Sequence, residues 1–498
     1  MSELQRQIQL AKYYRHLKFL IVDDFENFRL SVRQMIRAFG VEHIEVAGNG
    51  EDAVARCEHE HFDIILCDYN LGTGKNGQQV LEELRHNKLL KQTGIFVLIT
   101  AETSKDMVMG ALEYLPDGYI TKPMTKAVLQ KRLDVMIEQR EVLKPINNAI
   151  DKGLIDKAIE LIHEEIKSDS KYVIWCYRKL AGLYYQKEQY DLARQIYENV
   201  LTKRDIGWAQ LGLGKVKIAQ GDFDGAIEGL TSLLKENENL IEAYDWLAEA
   251  QLKKGSALEA QKTLNKAVEI SPFAIIRQKK LAEVCVKNKD VEGASDAFRQ
   301  TVRLGHNSVH ESSENYLSLG RCLSELSEGD DSELGKKRAK EAVHTLERAG
   351  KKFKDDVSLQ ASSLLIQSRV HQGQGDQTKA KSILDKAELL LNAEETDASV
   401  KLEFAKTLYT MGEVDQAEKL LSELAQKNGT DKALMANIEE LLDEPVSLDK
   451  KIKARKLNKQ GIGAFEQGDL GAAIEIFESA LASTPKHPAL NLNMVQVM

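Results

Sequence analysis

Four alanines, Ala193, Ala226, Ala260 and Ala294, recur at steps of 33, 34 and 34 residues, and this spacing restricts the fold more than any other feature of the chain. Each is followed four positions later by a large apolar or aromatic residue: Tyr197, Leu230, Leu264 and Phe298. Upstream of each lies a Leu plus a small residue: Leu180-Ala181, Leu213-Gly214, Leu247-Ala248 and Leu281-Ala282. Residues four apart share one face of a helix, and small residues on that face let a second helix approach closely. A turn such as Gln220-Gly221-Asp222 separates the two blocks. The pattern predicts a repeated helix–turn–helix unit. A unit of this size cannot bury its apolar face alone, so neighbours must stack.

Weaker copies extend the pattern to Ala158 on one side and to Ala342, Ala380, Ala417 and Ala473 on the other, giving nine helix pairs over residues 143–498. An acidic insert near 327–333 and an extra helix near 433–442 lengthen the later steps. The last copy carries Gly468, Phe477, Ala480 and Pro485, and residues 487–498 suit a capping helix. Composition agrees with long helices: only 7 of 498 residues are proline, while 43% are hydrophobic and 29% charged. The period and residue pattern resemble the tetratricopeptide repeat. The resemblance implies an all-α superhelix whose concave face binds a protein partner. It places Trp175, Arg178, Tyr185, Trp208 and Lys215 on that groove, residue types common in interface hot spots. The two tryptophans equally suit packing between neighbouring repeats. Gly182 stands where a chaperone-tail clamp would need Asn, which disfavours chaperone tails as ligands.

Residues 18–142 read differently, after an N-terminal extension of residues 1–17. Five short apolar runs, KFLIV (Lys18–Val22), HIEVA (His43–Ala47), FDIILC (Phe62–Cys67), IFVLIT (Ile95–Thr100) and GYIT (Gly118–Thr121), alternate with amphipathic helical patterns such as Glu26 to Phe39 and Gln78 to His86. This alternation predicts an α/β domain, a doubly wound five-stranded parallel sheet covered on both faces. In such sheets ligand chemistry sits at the carboxyl ends of the strands. Those ends carry Asp23 and Asp24, Asp68, Thr100 and Lys122-Pro123. Three carboxylates on one edge repel one another unless a hard cation such as Mg²⁺ joins them. One carboxylate can then act as a nucleophile toward phosphorus, while a hydroxyl and an ammonium hold the phosphoryl oxygens. Each residue alone has an ordinary explanation, since Asp24 or Thr100 can cap a helix. Five residue types at five ordered positions argue for chemistry instead.

The set resembles, strand end by strand end, the receiver domain of two-component response regulators. The resemblance implies that Asp68 is the phosphorylation site, loaded by a histidine kinase or phosphotransfer protein. It implies Mg²⁺ held by Asp23, Asp24, Asp68 and the backbone carbonyl of Asn70. It makes Thr100 the switch hydroxyl, Lys122 the phosphate-binding lysine, Tyr119 the aromatic that moves on activation, and Ala101 the small residue that keeps the phosphoryl group accessible. It also implies a cis Lys122-Pro123 bond. The loop after the acceptor departs from the family's usual Met-Pro and reads Leu71-Gly72-Thr73-Gly74-Lys75, so its shape is open.

The net charge of −9 disfavours nucleic acid as a partner. The five scattered cysteines read as reduced core residues. The first residues contain no apolar signal core, and no stretch is long and apolar enough for a membrane span, so a cytoplasmic protein is expected. Cys57, His59 and His61 sit at spacings that do not share a helix face and read as a polar helix end, not a metal site. No nucleophile–base constellation marks the repeats as an enzyme. The sequence thus predicts a phosphorelay response regulator that acts through protein–protein interaction. The alternative is a constitutive assembly scaffold with a weakly regulated receiver. The helix starting near Thr125 should run on toward the repeats with little interruption, and Pro145 should mark a bend or a new first turn.

Overall fold

The computed structural model describes residues 3–101, 110, 113–393, 397–428, 430–441, 448–466, 468–484 and 488–497. Pro485 and His487 of the last repeat, and most of the stretch between Thr100 and Glu113, lie outside the described residues. The chain divides into two compact units, Met1–Ser312 and Ser313–Met498.

The first unit opens with helix α1 (Glu3–His16) and then alternates strands and helices: β1 (Lys18–Val22), α2 (Glu26–Arg37), β2 (His43–Ala47), α3 (Gly50–His59), β3 (Ile64–Asp68), α4 (Gly77–His86), β4 (Ile95–Thr100) and β5 (Gly118–Thr121). The five strands are parallel, in the order β2-β1-β3-β4-β5. β3 and β4 are buried along their whole length, as expected of central strands covered on both faces. One face packs Phe19, Ile21, Ile64, Leu66 and Val97 against α2 and the following helix, α5 (Lys126–Asp151). The other packs Leu20, Val22, Ile65, Cys67 and Leu98 against α3 and α4.

The first residues are more than an extension. Leu10 and Tyr14 of α1, with Leu17, are buried in the same cluster as Phe19, Leu129 and Leu133. The Tyr14 hydroxyl donates to Asp134 Oδ1 at 2.8 Å. Helix α1 therefore closes one side of the α/β core.

Helix α5 is continuous over 26 residues, with Pro145 inside it. No new first turn begins at Pro145. An internal proline costs a helix about 3 kcal/mol, but Leu143 and Ile146 on either side are buried, and each such burial stabilises by about 1.5–3 kcal/mol. Packing outweighs the local preference.

Nineteen further helices follow among the described residues. In the first unit they are α6 (Ile155–Lys167), α7 (Val173–Gln186), α8 (Tyr190–Lys203), α9 (Gly207–Ala219), α10 (Phe223–Glu236), α11 (Ile241–Lys253), α12 (Ala257–Ile270), α13 (Ile275–Lys287) and α14 (Val291–Gly305). The tail of α5 pairs with α6 through Leu143, Ile146, Ala149, Ala158 and Ile162. The second unit continues with α15 (Ser313–Ser327), α16 (Glu333–Lys352), α17 (Val357–Gly373), α18 (Gln377–Ala393), α19 (Ala398–Met411), α20 (Val414–Lys427), the additional α21 (Lys432–Leu441), α22 (Leu448–Glu466), α23 (Leu470–Ser483) and α24 (Pro488–Val497). The alanines that set the period, Ala158, Ala193, Ala226, Ala260, Ala294, Ala342, Ala380, Ala417 and Ala473, are all 0% exposed. The reason for small residues opposite them is steric. A Cβ on Gly214 would lie 2.7 Å from Leu230, and one on Gly461 would lie 2.5 Å from Phe477. Among the described residues no helix is long and apolar enough to cross a membrane.

Candidate functional site

Strand register builds the site. Val22 pairs with Cys67, so Asp23 and Asp68, the next residues, stand side by side. Asp68 pairs with Ile99, which precedes Thr100. Thr100 pairs with Thr121, which precedes Lys122. Parallel pairing thus carries Asp23, Asp68, Thr100 and Lys122 in sequence along one carboxyl edge. The break in strand sequence between β1 and β3 opens this edge, since the flanking connections leave in opposite directions.

Lys122 joins the acids. Its Nζ donates to Asp23 Oδ2 at 2.7 Å and to Asp68 Oδ2 at 2.8 Å, and stands 4.0 Å from the centroid of the Phe28 ring. The Lys122-Pro123 bond is cis, and the Lys122 amide donates to Thr100 O at 2.7 Å. Asp23, Asp68 and Thr100 are buried, whereas Asp24 is exposed. Asp23 is also fixed from behind: its Oδ1 accepts from the Phe25 amide at 2.8 Å, and its carbonyl accepts from Arg29 at 2.6 Å. Burial pushes the Asp68 carboxyl above the usual carboxylate range; the Lys122 hydrogen bond and charge pull the other way, and the neighbouring Asp23 charge adds to the rise. Burial disfavours the Lys122 charge, but its hydrogen bonds to Asp23 and Asp68, with their charges, together hold it above the ordinary lysine value.

Oxygen atoms of Asp23, Asp24 and Asp68 lie within 4.8 Å of one another. An all-carboxylate oxygen set suits a hard divalent cation. The loop after Asp68 passes over this edge on two glycines with positive φ, Gly72 at 75° and Gly74 at 99°. Each is needed there: a Cβ on Gly72 would lie 3.3 Å from Asp24 Oδ2, and one on Gly74 would lie 2.6 Å from Glu51 Oε1. The Lys75 amide donates to Glu51 Oε1 at 3.0 Å. Asp24, Asn49, Glu51 and residues 71–74 line an open cavity of about 570 Å³ beside the acids. Asn70 is exposed at the start of this loop, and its Oδ1 accepts from the Gly72 amide at 3.3 Å. Ala101 is exposed directly after Thr100, and Tyr119 is half-buried against the Leu20 and Val22 cluster. The Phe28 ring beneath Lys122 escaped the sequence reading; only its position on the inner face of a helix pattern hinted at it.

The five residues expected on the repeat groove lie on two helices of neighbouring repeats, Trp175, Arg178 and Tyr185 on α7 and Trp208 and Lys215 on α9. Trp175 lines a cavity of about 230 Å³ together with Thr93, Met136, Arg140 and Lys179, against the receiver. Trp208 packs edge-on against Tyr197, with centroids 6.0 Å apart, between neighbouring repeats. Tyr185 lies edge-on to Tyr190 at 5.5 Å. Lys215 pairs with Glu242 and stands 5.0 Å from the Trp246 centroid, while Arg178 is exposed.

Residues 19–134 match the response regulator receiver domain family, and residues 211–275 match the tetratricopeptide repeat family. Chemotaxis protein CheY-3 of Vibrio cholerae is 32% identical over 125 residues, covering 25% of this chain and 95% of that protein. Chemotaxis protein CheY of Pseudomonas aeruginosa is 29% identical over 123 residues, covering 25% of this chain and 98% of that protein. Among solved structures, Vibrio cholerae chemotaxis protein CheY4 is 26% identical, covers 24% of this chain and 98% of its own, with a TM-score of 0.23. The C-terminal part of a TPR repeat-containing protein from Cytophaga hutchinsonii is 17% identical, covers 51% of this chain and 96% of its own, with a TM-score of 0.38. The chain belongs, through its first quarter, to the CheY-type response regulator receiver family, and carries an array of tetratricopeptide repeats behind that receiver.

Proposed function

We propose that Asp68 accepts a phosphoryl group from the phosphohistidine of a histidine kinase or phosphotransfer protein, and that its phosphorylation state controls what the repeat array binds. The observation that carries this reading is the Lys122 ammonium held within hydrogen-bond distance of both Asp23 and Asp68. An Asp68 carboxylate oxygen attacks phosphorus, the P–N bond breaks, and the departing imidazole takes up a proton. The product is an acyl phosphate. Asp23, Asp24, Asp68 and the Asn70 carbonyl would hold Mg²⁺, which neutralises charge on the phosphoryl oxygens. Lys122 supplies a second positive group at the same edge. The Thr100 hydroxyl takes a phosphoryl oxygen as hydrogen-bond acceptor, and Tyr119 fills the space it leaves. The open cavity beside Asp24 gives the donor access. The protein's work is regulatory and is carried out on protein partners in the cytoplasm.

The test is chemical. The full-length protein, incubated with acetyl phosphate and Mg²⁺, should gain a phosphoryl group that hydroxylamine removes, as it does acyl phosphates. A hydroxylamine-resistant phosphate would place the modification on a hydroxyl and contradict the assignment.

A further inference from the structure

The repeat array of the first unit folds back onto the receiver at two places remote from helix α5. Arg277, on α13, has a side chain only 4% exposed. Its guanidinium donates to Glu113 Oε1 and Oε2 at 2.9 and 3.0 Å, and to Asp245 Oδ1 and Oδ2, both at 2.7 Å. Glu113 belongs to the receiver, whereas Asp245 belongs to the array. The second place centres on Glu82 of α4, which is 6% exposed. Ser308 Oγ donates to Glu82 Oε2 at 2.5 Å, and His310 Nε2 stands 3.1 Å from Glu82 Oε1. One turn away, Gln79 Nε2 donates to His306 O at 2.8 Å. The array residues at this second place form one short turn after α14, closed by the Ser308 amide donating to Gly305 O and the Glu311 amide to Ser308 O.

We propose that these two contacts form a latch, closed while Asp68 is unphosphorylated and released by phosphorylation. The latch rests on the phosphoacceptor reading above. Helix α4, which carries Glu82, starts at the site itself. Helix α4 begins on the acceptor strand's end: the Gly77 amide donates to Tyr69 O at 2.8 Å, and a Cβ on Gly77 would lie 2.2 Å from Asp68 O. Glu113 lies between Thr100 and Tyr119, the two residues expected to move. A bidentate guanidinium–carboxylate pair tolerates little displacement, so a shift of either element strains the contact.

The chemistry also permits release. Breaking a buried ion pair is costly when it strands a charge. Arg277 has two carboxylates, so losing Glu113 leaves it paired with Asp245. Glu82 lies on a receiver helix that meets water once the turn at 306–311 leaves. Linkage then requires reciprocity: if phosphate opens the latch, an open latch favours phosphate by the same factor.

Hydrogen exchange on the full-length protein tests this. Losing one charge-assisted hydrogen bond weakens a closed contact by about tenfold. Glu113→Gln and, separately, Ser308→Ala should each speed exchange of amides 306–311 by about tenfold in the unphosphorylated protein. Acetyl phosphate with Mg²⁺ should do the same to the wild type, and Glu113→Gln should raise the phosphorylated fraction at a fixed donor concentration. Unchanged exchange at 306–311 in both variants, or in a wild type whose intact mass shows the added phosphoryl group, would overturn the latch while leaving the acceptor reading intact. Failure to add phosphate at all would overturn both.

Discussion

Leu133 and Leu143 lie on one unbroken helix yet belong to different hydrophobic cores: Leu133 packs with the strands of the receiver, and Leu143 packs with Ala158 and Leu180 of the first repeats. No flexible segment separates the two domains here. Arg140, between them, is buried and donates to Thr93 O at 2.6 Å, which pins the middle of the helix to the receiver. Lys179 of α7 reaches Gln92 at 2.8 Å from the other side.

A change at β5 should therefore travel along this helix as a rigid-body shift. Phosphorylation is expected to alter hydrogen exchange across residues 124–170 as well as around Asp68. Tyr119→Ala should blunt the distant change while phosphorylation itself proceeds. Identical exchange beyond residue 124 in the two states would mean that receiver and repeats are merely tethered, and would favour a constitutive scaffold.

The acidic edge gives a second expectation. Asp23 contributes to the carboxylate set and holds Lys122 at 2.7 Å. Asp23→Asn removes one of three clustered charges, so Mg²⁺ affinity should fall by about tenfold or more, on the scale of one lost charged contact. Isothermal titration of the wild type and the variant measures it. Equal affinity would remove Asp23 from the ligand set.

The second unit contains its own charge network. Glu403, with a side chain 5% exposed, accepts from Arg321 Nε at 2.6 Å and from Arg369. Burial alone would raise its pKa, but the two guanidinium groups override this and bring it down to about 2. A depressed carboxyl pKa contributes stability above its unfolded value near 4.5, and that stability is lost as pH falls toward 2. The shift corresponds to about 3 kcal/mol. Glu403→Gln should thus destabilise this unit by about 3 kcal/mol at pH 7, with the difference from wild type vanishing near pH 2. Urea unfolding across that pH range reads it; a pH-independent difference would mean that packing, not charge, accounts for the loss.

Much of this was legible in the sequence because periodicity and strand ends are local signals. The buried alanines announce themselves through spacing alone, and the strand runs carry Asp23, Asp68, Thr100 and Lys122 to one edge by parallel register. What escaped depends on long-range partners. Arg277 and Glu113 are 164 positions apart, and Ser308 and Glu82 are 226 apart. Each is a single polar residue with no repeating neighbour to mark it. Pro145 starts no new helix for the opposite reason: the helix continues through it, with Leu143 and Ile146 buried on either side. Trp175, expected either on a partner groove or between repeats, lines a cavity with Thr93 and Arg140 of the first domain, a neighbourhood that arises because the tail of α5 packs with the first repeats.

The central claim is that Asp68 carries the phosphoryl group. Intact-mass measurement of the full-length protein after incubation with acetyl phosphate and Mg²⁺ tests it most directly. The account predicts one added phosphoryl group on the wild type and none on Asp68→Asn. Equal labelling of the two proteins would contradict it.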